Sequence, residues 1–243
     1  MYKKYPKFLR SLFEFVIDKC PITPLTNTFL RQAKKVIKNA HASGFDLYYN
    51  MMCLGFDDSS RKRLLTDGRY DDIKGFYKKM WDEIPSEFTY LQKEQIMDSK
   101  GVLEGDMFPK MDRACMHVSL ENRAPFIDKR IYHLALNLSD DLKIRGKNKK
   151  YLLKEAFKDI LPAETLKFKK SGFGVPVDYW LRNELKDELQ VLFSKEFIDR
   201  QGIFNYDFVR MLFEEHIKGK ENHKAQLWNL FVFQKWYTKV YQV

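Results

Sequence analysis

Apolar side chains recur at three- and four-residue spacing over most of this chain, the period of one face of an α-helix, and strict apolar–polar alternation is rare. Phe8, Leu9, Leu12, Phe13 and Val16 form one such face, with Tyr5 and Pro6 placed to open it. The same period predicts helices over about 27–40, 45–53, 71–81, 88–97 and 107–120, with Ser59, Ser60 and Ser86 as candidate N-caps. Asp128 is placed to cap a helix through 138. Asn148 is placed to cap another to about 160, which Leu161-Pro162 would stop because proline brings no N–H and clashes with the preceding turn. Pro176 suits the first position of a helix toward about 193, where a missing N–H costs nothing. A last helix over about 223–240 carries Leu227, Trp228, Leu230, Phe231, Phe233, Trp236, Tyr237 and Val240 around much of its surface, which predicts burial on several sides. Breaks are expected near 139–148 and at Gly202, but no Pro/Gly/Ser-rich linker, repeat or low-complexity tract interrupts the pattern. A mainly α fold, one mostly helical domain over 1–243, is the expectation.

Composition narrows the partners. With 243 residues and 44% hydrophobic content the chain can bury a sizeable core. Its 43 Lys and Arg outnumber 33 Asp and Glu, and a net charge of +10 favours phosphates, nucleotides, nucleic acid or an anionic membrane. Cys20, Cys53 and Cys115 are far apart and show no C-x-x-C spacing, so neither a disulfide framework nor a zinc ribbon is indicated. Lys3, Lys4 and Lys7 precede an apolar stretch that Arg10 and Glu14 interrupt, with no small-residue cleavage site after it, so no secretory leader is read. The apolar run Leu230-Phe231-Val232-Phe233 is far short of the roughly twenty residues that span a bilayer. A cytoplasmic protein without a membrane partner is expected.

Three segments carry candidate chemistry. Lys169-Lys170-Ser171-Gly172-Phe173-Gly174-Val175-Pro176 sets two cations beside two glycines ahead of a helix start, suited to holding an anion through backbone N–H groups and ammonium charge. The same residues also read as an ordinary turn with solvated lysines. In Asp112-Arg113 through Pro125-Phe126-Ile127-Asp128, the charges of Arg113, Glu121, Arg123 and Asp128 surround a helix end and a proline turn. They read either as a buried ion-pair lattice or, for Arg113 and Glu121, as groups that orient a substrate. Cys115 reads as a small buried residue. The stretch from Lys143 through Arg145-Gly146-Lys147-Asn148-Lys149-Lys150 is either a positive rim for phosphates or a solvated turn. His216 and His223 lack an acidic or cysteine partner at ligand spacing, so packing explains them better than a metal, and no metal site is expected.

Together and in this order the three segments resemble the synthetase domain of asparagine synthetases, glutamine-dependent ligases that activate a carboxylate with ATP. Residues 112–128 are similar to that family's D-R-x-S-M-x-x-S-x-E-x-R-x-P-F-L-D signature, with Cys115, Ala124 and Ile127 at positions where serine, valine and leucine are usual. Residues 145–154 resemble its R-G-x-x-K-x-L-L-R/K segment, and 170–176 its K-S-G-F-G-V-P segment. The resemblance runs from about residue 90 onward, and the earlier part matches only in helical character.

The resemblance implies the helical C-terminal portion of an α/β adenine-nucleotide synthetase domain of the ATP pyrophosphatase type. It implies an aspartate-like carboxylate activated as an acyl-adenylate with ATP and Mg²⁺, then converted to an amide by ammonia from glutamine. Lys170 would stabilise phosphate charge as pyrophosphate leaves, with Lys169, Gly172, Gly174 and Arg145 about the phosphates and Arg113, Glu121, Arg123 and Asp128 lining or bracing the cleft. Phe168 stands where many relatives have arginine, and Lys167 or Lys169 replaces that planar fork imperfectly. Nothing here resembles the family's glutaminase domain, its S-G-G-x-D-S pyrophosphate loop or its acidic G-D/E-G-x-D-E motif. A separate chain supplying them is one expectation and a remnant without activity another. A basic helical module for nucleic acid or a partner chain is the competing class, disfavoured by the ordered trio of segments.

Overall fold

The computed structural model describes residues 37, 39, 41–68, 72–168 and 174–241. Helices α1 (Gly44–Met52) and α2 (Asp58–Leu64) come first, followed by α3 (Ile73–Asp82) and α4 (Tyr90–Asp98). A π-helical stretch, Ser99–Met107, runs from α4 directly into α5 (Phe108–Met116), and Phe108 N–H donates to the Leu103 carbonyl as a π-turn requires. A 3₁₀ turn, Pro125–Ile127, leads to α6 (Lys129–Asn137) and the short α7 (Asp140–Lys143). An antiparallel hairpin of β1 (Ile144–Arg145) and β2 (Asn148–Lys149) precedes α8 (Tyr151–Ala156) and α9 (Ala163–Lys167). The remainder is α10 (Val177–Arg182), α11 (Lys186–Leu192), α12 (Lys195–Gln201), α13 (Tyr206–Ile217) and α14 (Lys224–Tyr241). The fold is mainly helical, as the periodicity predicts.

Several ends differ from expectation, each for a local reason. Asp57, not Ser59 or Ser60, caps α2, because its carboxylate accepts from the Ser60 N–H at 2.9 Å and the Ser59 and Ser60 hydroxyls at 2.8 and 2.7 Å. Thr89, not Ser86, caps α4 in a reciprocal capping box with Gln92. Asn148 pairs in the hairpin instead of capping a helix, and α8 begins after Lys150, whose φ of 58° is left-handed. The helix after Pro176 ends at Arg182 instead of continuing to 193, with Asn183 at φ −122° and ψ −88° marking the break. Asp128 caps α6 as its position predicts, its side chain accepting from the Arg130 N–H at 2.9 Å. The helices expected over 8–16 and most of 27–40 lie outside the described residues, as does Cys20.

The chain divides into two compact units, one of residues 1–73 with 174–243 and the other of 74–173. No linker composition signals the division. The first unit holds an apolar core in which Leu181, Leu189, Ile198, Val209, Leu212, Leu227 and Leu230 are almost wholly buried. Those residues come from α10 to α14, and Phe204 meets Phe233 edge-on at 5.1 Å. Buried Gln234 closes its amide on Gln201 by two reciprocal hydrogen bonds of 2.8 and 3.1 Å, which satisfies it inside the core. Gly202, at φ 68°, ends α12 in the left-handed conformation that glycine adopts without a Cβ clash. The chain then pairs with the end of α2 through Thr66 N–H to the Ile203 carbonyl and Asn205 N–H to the Leu64 carbonyl.

The second unit is joined differently. Among its described apolar residues only Trp81, Ile84 and Met97 are buried. Polar links tie α4 to the elements after it: Gln92 Nε2 donates to the Leu136 carbonyl at 2.9 Å, and Thr89 Oγ1 to Asp140 Oδ1 at 3.0 Å. Gly101 lies where an added Cβ would stand 3.2 Å from the Tyr77 ring, so the π-helical stretch approaches α3 closely.

Candidate functional site

The signature segment begins on α5 and leaves it through a tight turn. Leu120 N–H donates back to the Cys115 carbonyl at 2.9 Å, and Ser119 takes a left-handed φ of 57°, a conformation usually given to glycine at a helix end. Asn122 Nδ2 reaches the Cys115 sulfur at 3.8 Å, and Cys115 is half-buried, not enclosed. Glu121 and Arg123 form an ion pair in which both side chains are exposed. Arg113 is exposed and has no ion pair among the described residues, and Asp112 is exposed as well.

A buried lattice of Arg113, Glu121, Arg123 and Asp128 is therefore not what the structure contains. The segment emerges from a helix end onto an uncovered surface, where an ion pair contributes at most about 1 kcal/mol. Asp128 belongs to α6: its Oδ1 accepts from Arg130 Nε at 3.0 Å as well as from the backbone. These bonds from Arg130 hold its carboxyl below the usual carboxylate range.

The basic stretch splits in two. Lys143 turns inward, its Nζ donating to Gln95 Oε1 and the Leu136 carbonyl, both at 2.9 Å, and burial lowers its pKa. Arg145, Lys147, Lys149 and Lys150 are exposed about the hairpin, whose turn uses Gly146 at φ 61°. The Arg145 guanidinium lies over the Tyr151 ring at 3.8 Å and donates Nη1–H to its hydroxyl at 2.7 Å, which pre-sets its direction. Lys154 Nζ braces the hairpin from α8 through Asn148 Oδ1 at 2.7 Å. The hairpin thus presents a cationic corner to solvent, a geometry suited to phosphate oxygens.

Lys169, Lys170 and Gly172 lie outside the described residues. Gly174 is described and exposed, and an added Cβ would meet nothing within 4 Å, so local packing does not demand glycine there. Phe168, at the arginine position noted above, is 76% exposed. The helix that follows the glycine segment is anchored by a cluster no motif reveals. Arg182 on α10 donates Nε–H to Asp178 Oδ2 at 3.2 Å, and its Nη2 lies 3.3 Å from Nδ1 of His216 on α13.

His216 is fully buried. Its Nδ1 accepts the His223 N–H at 3.2 Å, which places the ring proton on Nε2, 3.7 Å from Asp178 Oδ1 and beyond hydrogen-bond reach. Burial, and then the Arg182 charge, push its pKa down to about 4, so the imidazole is neutral. His223 is held in turn by Glu215 at 2.8 Å and Gln226 at 2.9 Å. The spacing of Asp178 and Arg182, one helical turn apart beside Pro176, was the one available signal.

Two open grooves lie on the first unit. One, of about 500 Å³, is lined by Lys62, Arg63, Thr66, Asn205 and Phe208 among others, and neither includes a residue singled out from the motifs.

The sequence profile of the asparagine synthase family matches residues 22–238. The chain belongs to the asparagine synthase family. Asparagine synthetase [glutamine-hydrolyzing] 1 of Bacillus subtilis is 30% identical over 187 residues, which cover 75% of this chain and 29% of that protein. A putative asparagine synthetase [glutamine-hydrolyzing] of Mycobacterium tuberculosis is 34% identical over 137 residues, 56% of this chain and 21% of its own. The Mus musculus asparagine synthetase [glutamine-hydrolyzing] is 29% identical over 135 residues, 49% of this chain and 24% of its own. The chain thus spans less than a third of the length of the curated relatives it matches. No solved structure gives a significant match. Within the asparagine synthase family assignment, the signature segment, the hairpin and residues 174–176 are the described parts of the three motif regions. Among the described residues no helix is long and apolar enough to cross a membrane.

Proposed function

We propose that this chain supplies the helical part of an ATP-dependent carbon–nitrogen ligase of the asparagine synthase type. The family match over 22–238 carries the reading, and the ordered trio of motif segments supports it. In the proposed reaction an oxygen of an aspartate-like carboxylate attacks the α-phosphorus of ATP and pyrophosphate leaves. Ammonia derived from glutamine then attacks the acyl carbon, AMP leaves, and the amide remains.

Lys170 is the proposed phosphate-charge residue, with Lys169, Gly172 and Gly174 beside it and Arg145 at the hairpin corner. The exposed, pre-set Arg145 fits a phosphate contact. The proposed role of this chain is cationic contact, with Mg²⁺ carried on the nucleotide phosphates. The nucleotide loop and the glutaminase are proposed to lie on further polypeptide.

The experiment supplies that polypeptide and follows aspartate-dependent pyrophosphate release. Lys170→Ala is expected to lower the rate at least about 100-fold, in line with loss of a transition-state charge contact, with Lys170→Arg restoring part of it. Unchanged release in Lys170→Ala rejects the role. A basic nucleic-acid module is the second reading, favoured by the +10 charge and the exposed hairpin cations. Against it, the Tyr151 face that a base would stack on is occupied by Arg145. Strong, salt-sensitive binding to generic RNA or DNA with no ATP effect on the melting temperature would favour this second reading.

A further inference from the structure

The glycine segment runs directly into α10, whose six residues are too few to hold a helix alone in water, where on the order of 12–15 are needed. Its placement therefore comes from its side chains. Leu181 is fully buried in the core, and the Trp180 ring lies 6.4 Å from that of Trp228 on α14. Such apolar contacts hold the helix in place but carry no direction of their own. Direction comes from Arg182. Its planar fork reaches Asp178 Oδ2 at 3.2 Å from Nε, and from Nη2 both Asp178 Oδ1 at 3.4 Å and His216 Nδ1 at 3.3 Å. The Arg182 side chain is only 16% exposed and that of Asp178 30%, so water competes little for these bonds. His216 Nδ1 also faces the His223 N–H, which ties the fork to the turn between α13 and α14. An apolar side chain in place of this wholly buried ring would avoid leaving Nε2–H without a hydrogen-bond partner among the described residues. The arrangement gives up some stability and fixes an orientation.

We infer that Asp178, Arg182 and His216 are positioning residues for the glycine segment, setting the rotation of α10 and with it the direction in which Gly174-Val175-Pro176 meets the helix. The inference rests on the phosphate role proposed above for that segment. Asp178 stands two residues beyond Pro176. Val177 N–H donates to the Val175 carbonyl at 2.8 Å and Trp180 N–H to the Pro176 carbonyl at 3.0 Å, so a turn of α10 carries these residues with it. Gly174, Val175 and Pro176 are all exposed, and a Cβ on Gly174 would meet nothing within 4 Å. Their direction is inherited from α10, not fixed by packing of their own. The cluster touches no reacting group and acts only through the segment.

The test uses the full 243-residue chain, alone and in the completed enzyme of the pyrophosphate assay. Arg182→Met removes the fork and keeps most of the stem. In the chain alone it should speed hydrogen exchange over 174–182 at least about 10-fold while leaving 186–201 as in the parent. In the completed enzyme it should lower kcat at least about 10-fold with the KM for aspartate changed less than about twofold. In a Lys170→Ala background the same substitution should lower kcat no further, since residues that act as one unit are non-additive. His216→Phe should behave like Arg182→Met, and His216→Asn, whose amide oxygen can accept in place of Nδ1, should be the milder of the two. Arg210→Met breaks an exposed pair with Glu214 on α13 and should leave exchange and kcat unchanged. If Arg182→Met also opens 186–201, Asp178→Ala, at the more exposed end of the fork, replaces it in every arm. Unchanged exchange over 174–182 in the folded variant overturns the inference, as does a loss carried by KM alone or one that adds to that of Lys170→Ala. Unchanged release in Lys170→Ala itself would reject the phosphate role instead, and the exchange arm would still decide whether the cluster orients the segment.

Discussion

The two units are built on opposite plans. In the first, leucines and phenylalanines from α10 to α14 form the buried core, and buried Gln234 is paired with Gln201. In the second, glutamine and lysine side chains reach across to backbone carbonyls, and of the described apolar residues only Trp81, Ile84 and Met97 are buried. The difference separates two sources of order. Apolar burial contributes in proportion to area, whereas each hydrogen bond adds only about 1 kcal/mol net because water offered a similar bond before folding.

The sharpest way to break this contrast is to remove the same number of atoms from each unit. Leu181→Ala, in the first core, is expected to destabilise that unit by about 3 kcal/mol through lost burial and a cavity, whereas Leu134→Ala costs under about 0.5 kcal/mol. Peptide-resolved hydrogen exchange in urea reads both, and equal losses would erase the distinction.

Next in size is pH. His216 has a folded pKa near 4 against 6.5 for an ordinary histidine, so the unfolded chain takes up the proton first as pH falls. Stability of the first unit should therefore be full above about pH 6.5 and decline toward pH 4 by roughly 2–3 kcal/mol. His216→Gln should flatten that slope in a series of urea melts, and an unaltered slope would mean that another group titrates. Lys143→Met, which keeps the stem but removes the donors to Gln95 and Leu136, should cost the second unit about 1–2 kcal/mol, visible as faster exchange over α4 and α6. Smallest is Ser119→Gly, expected to gain about 0.5–1 kcal/mol by relieving the left-handed φ, read as a small rise in melting temperature.

Helices were legible because their period survives packing: the predicted spans at 45–53, 88–97, 107–120 and 223–240 all meet observed helices. Their ends were less so. Where several Ser, Thr, Asp or Asn residues crowd a start, only the backbone geometry decides which carboxylate or hydroxyl reaches the open N–H groups, as Asp57 and Thr89 show. Charge density at Arg113, Glu121, Arg123 and Asp128 suggested a buried lattice, with substrate orientation also open for Arg113 and Glu121, because opposite charges in a short span resemble a core lattice. Nothing in the residues themselves says whether another surface covers them. The Asp178–Arg182–His216 cluster was missed because His216 lies 34 residues beyond Arg182 and joins the pair only when α10 and α13 come together. Among the site residues chosen from the motifs, the hairpin position of Arg145 and the capping role of Asp128 are described, while Lys169, Lys170 and Gly172 are not.

The stretch Ser99–Met107 winds with wider turns than the helices on either side of it. Each wider turn advances the chain by a smaller angle per residue, so the rod from Tyr90 to Met116 changes phase midway. The stripe that faces inward on α4 therefore does not continue along α5. Removing a residue between Gly101 and Gly105 would re-time the rod and swing Phe108 and Met111 to another side, exchanging the outward-looking stripe for a different one without altering a single side chain on it.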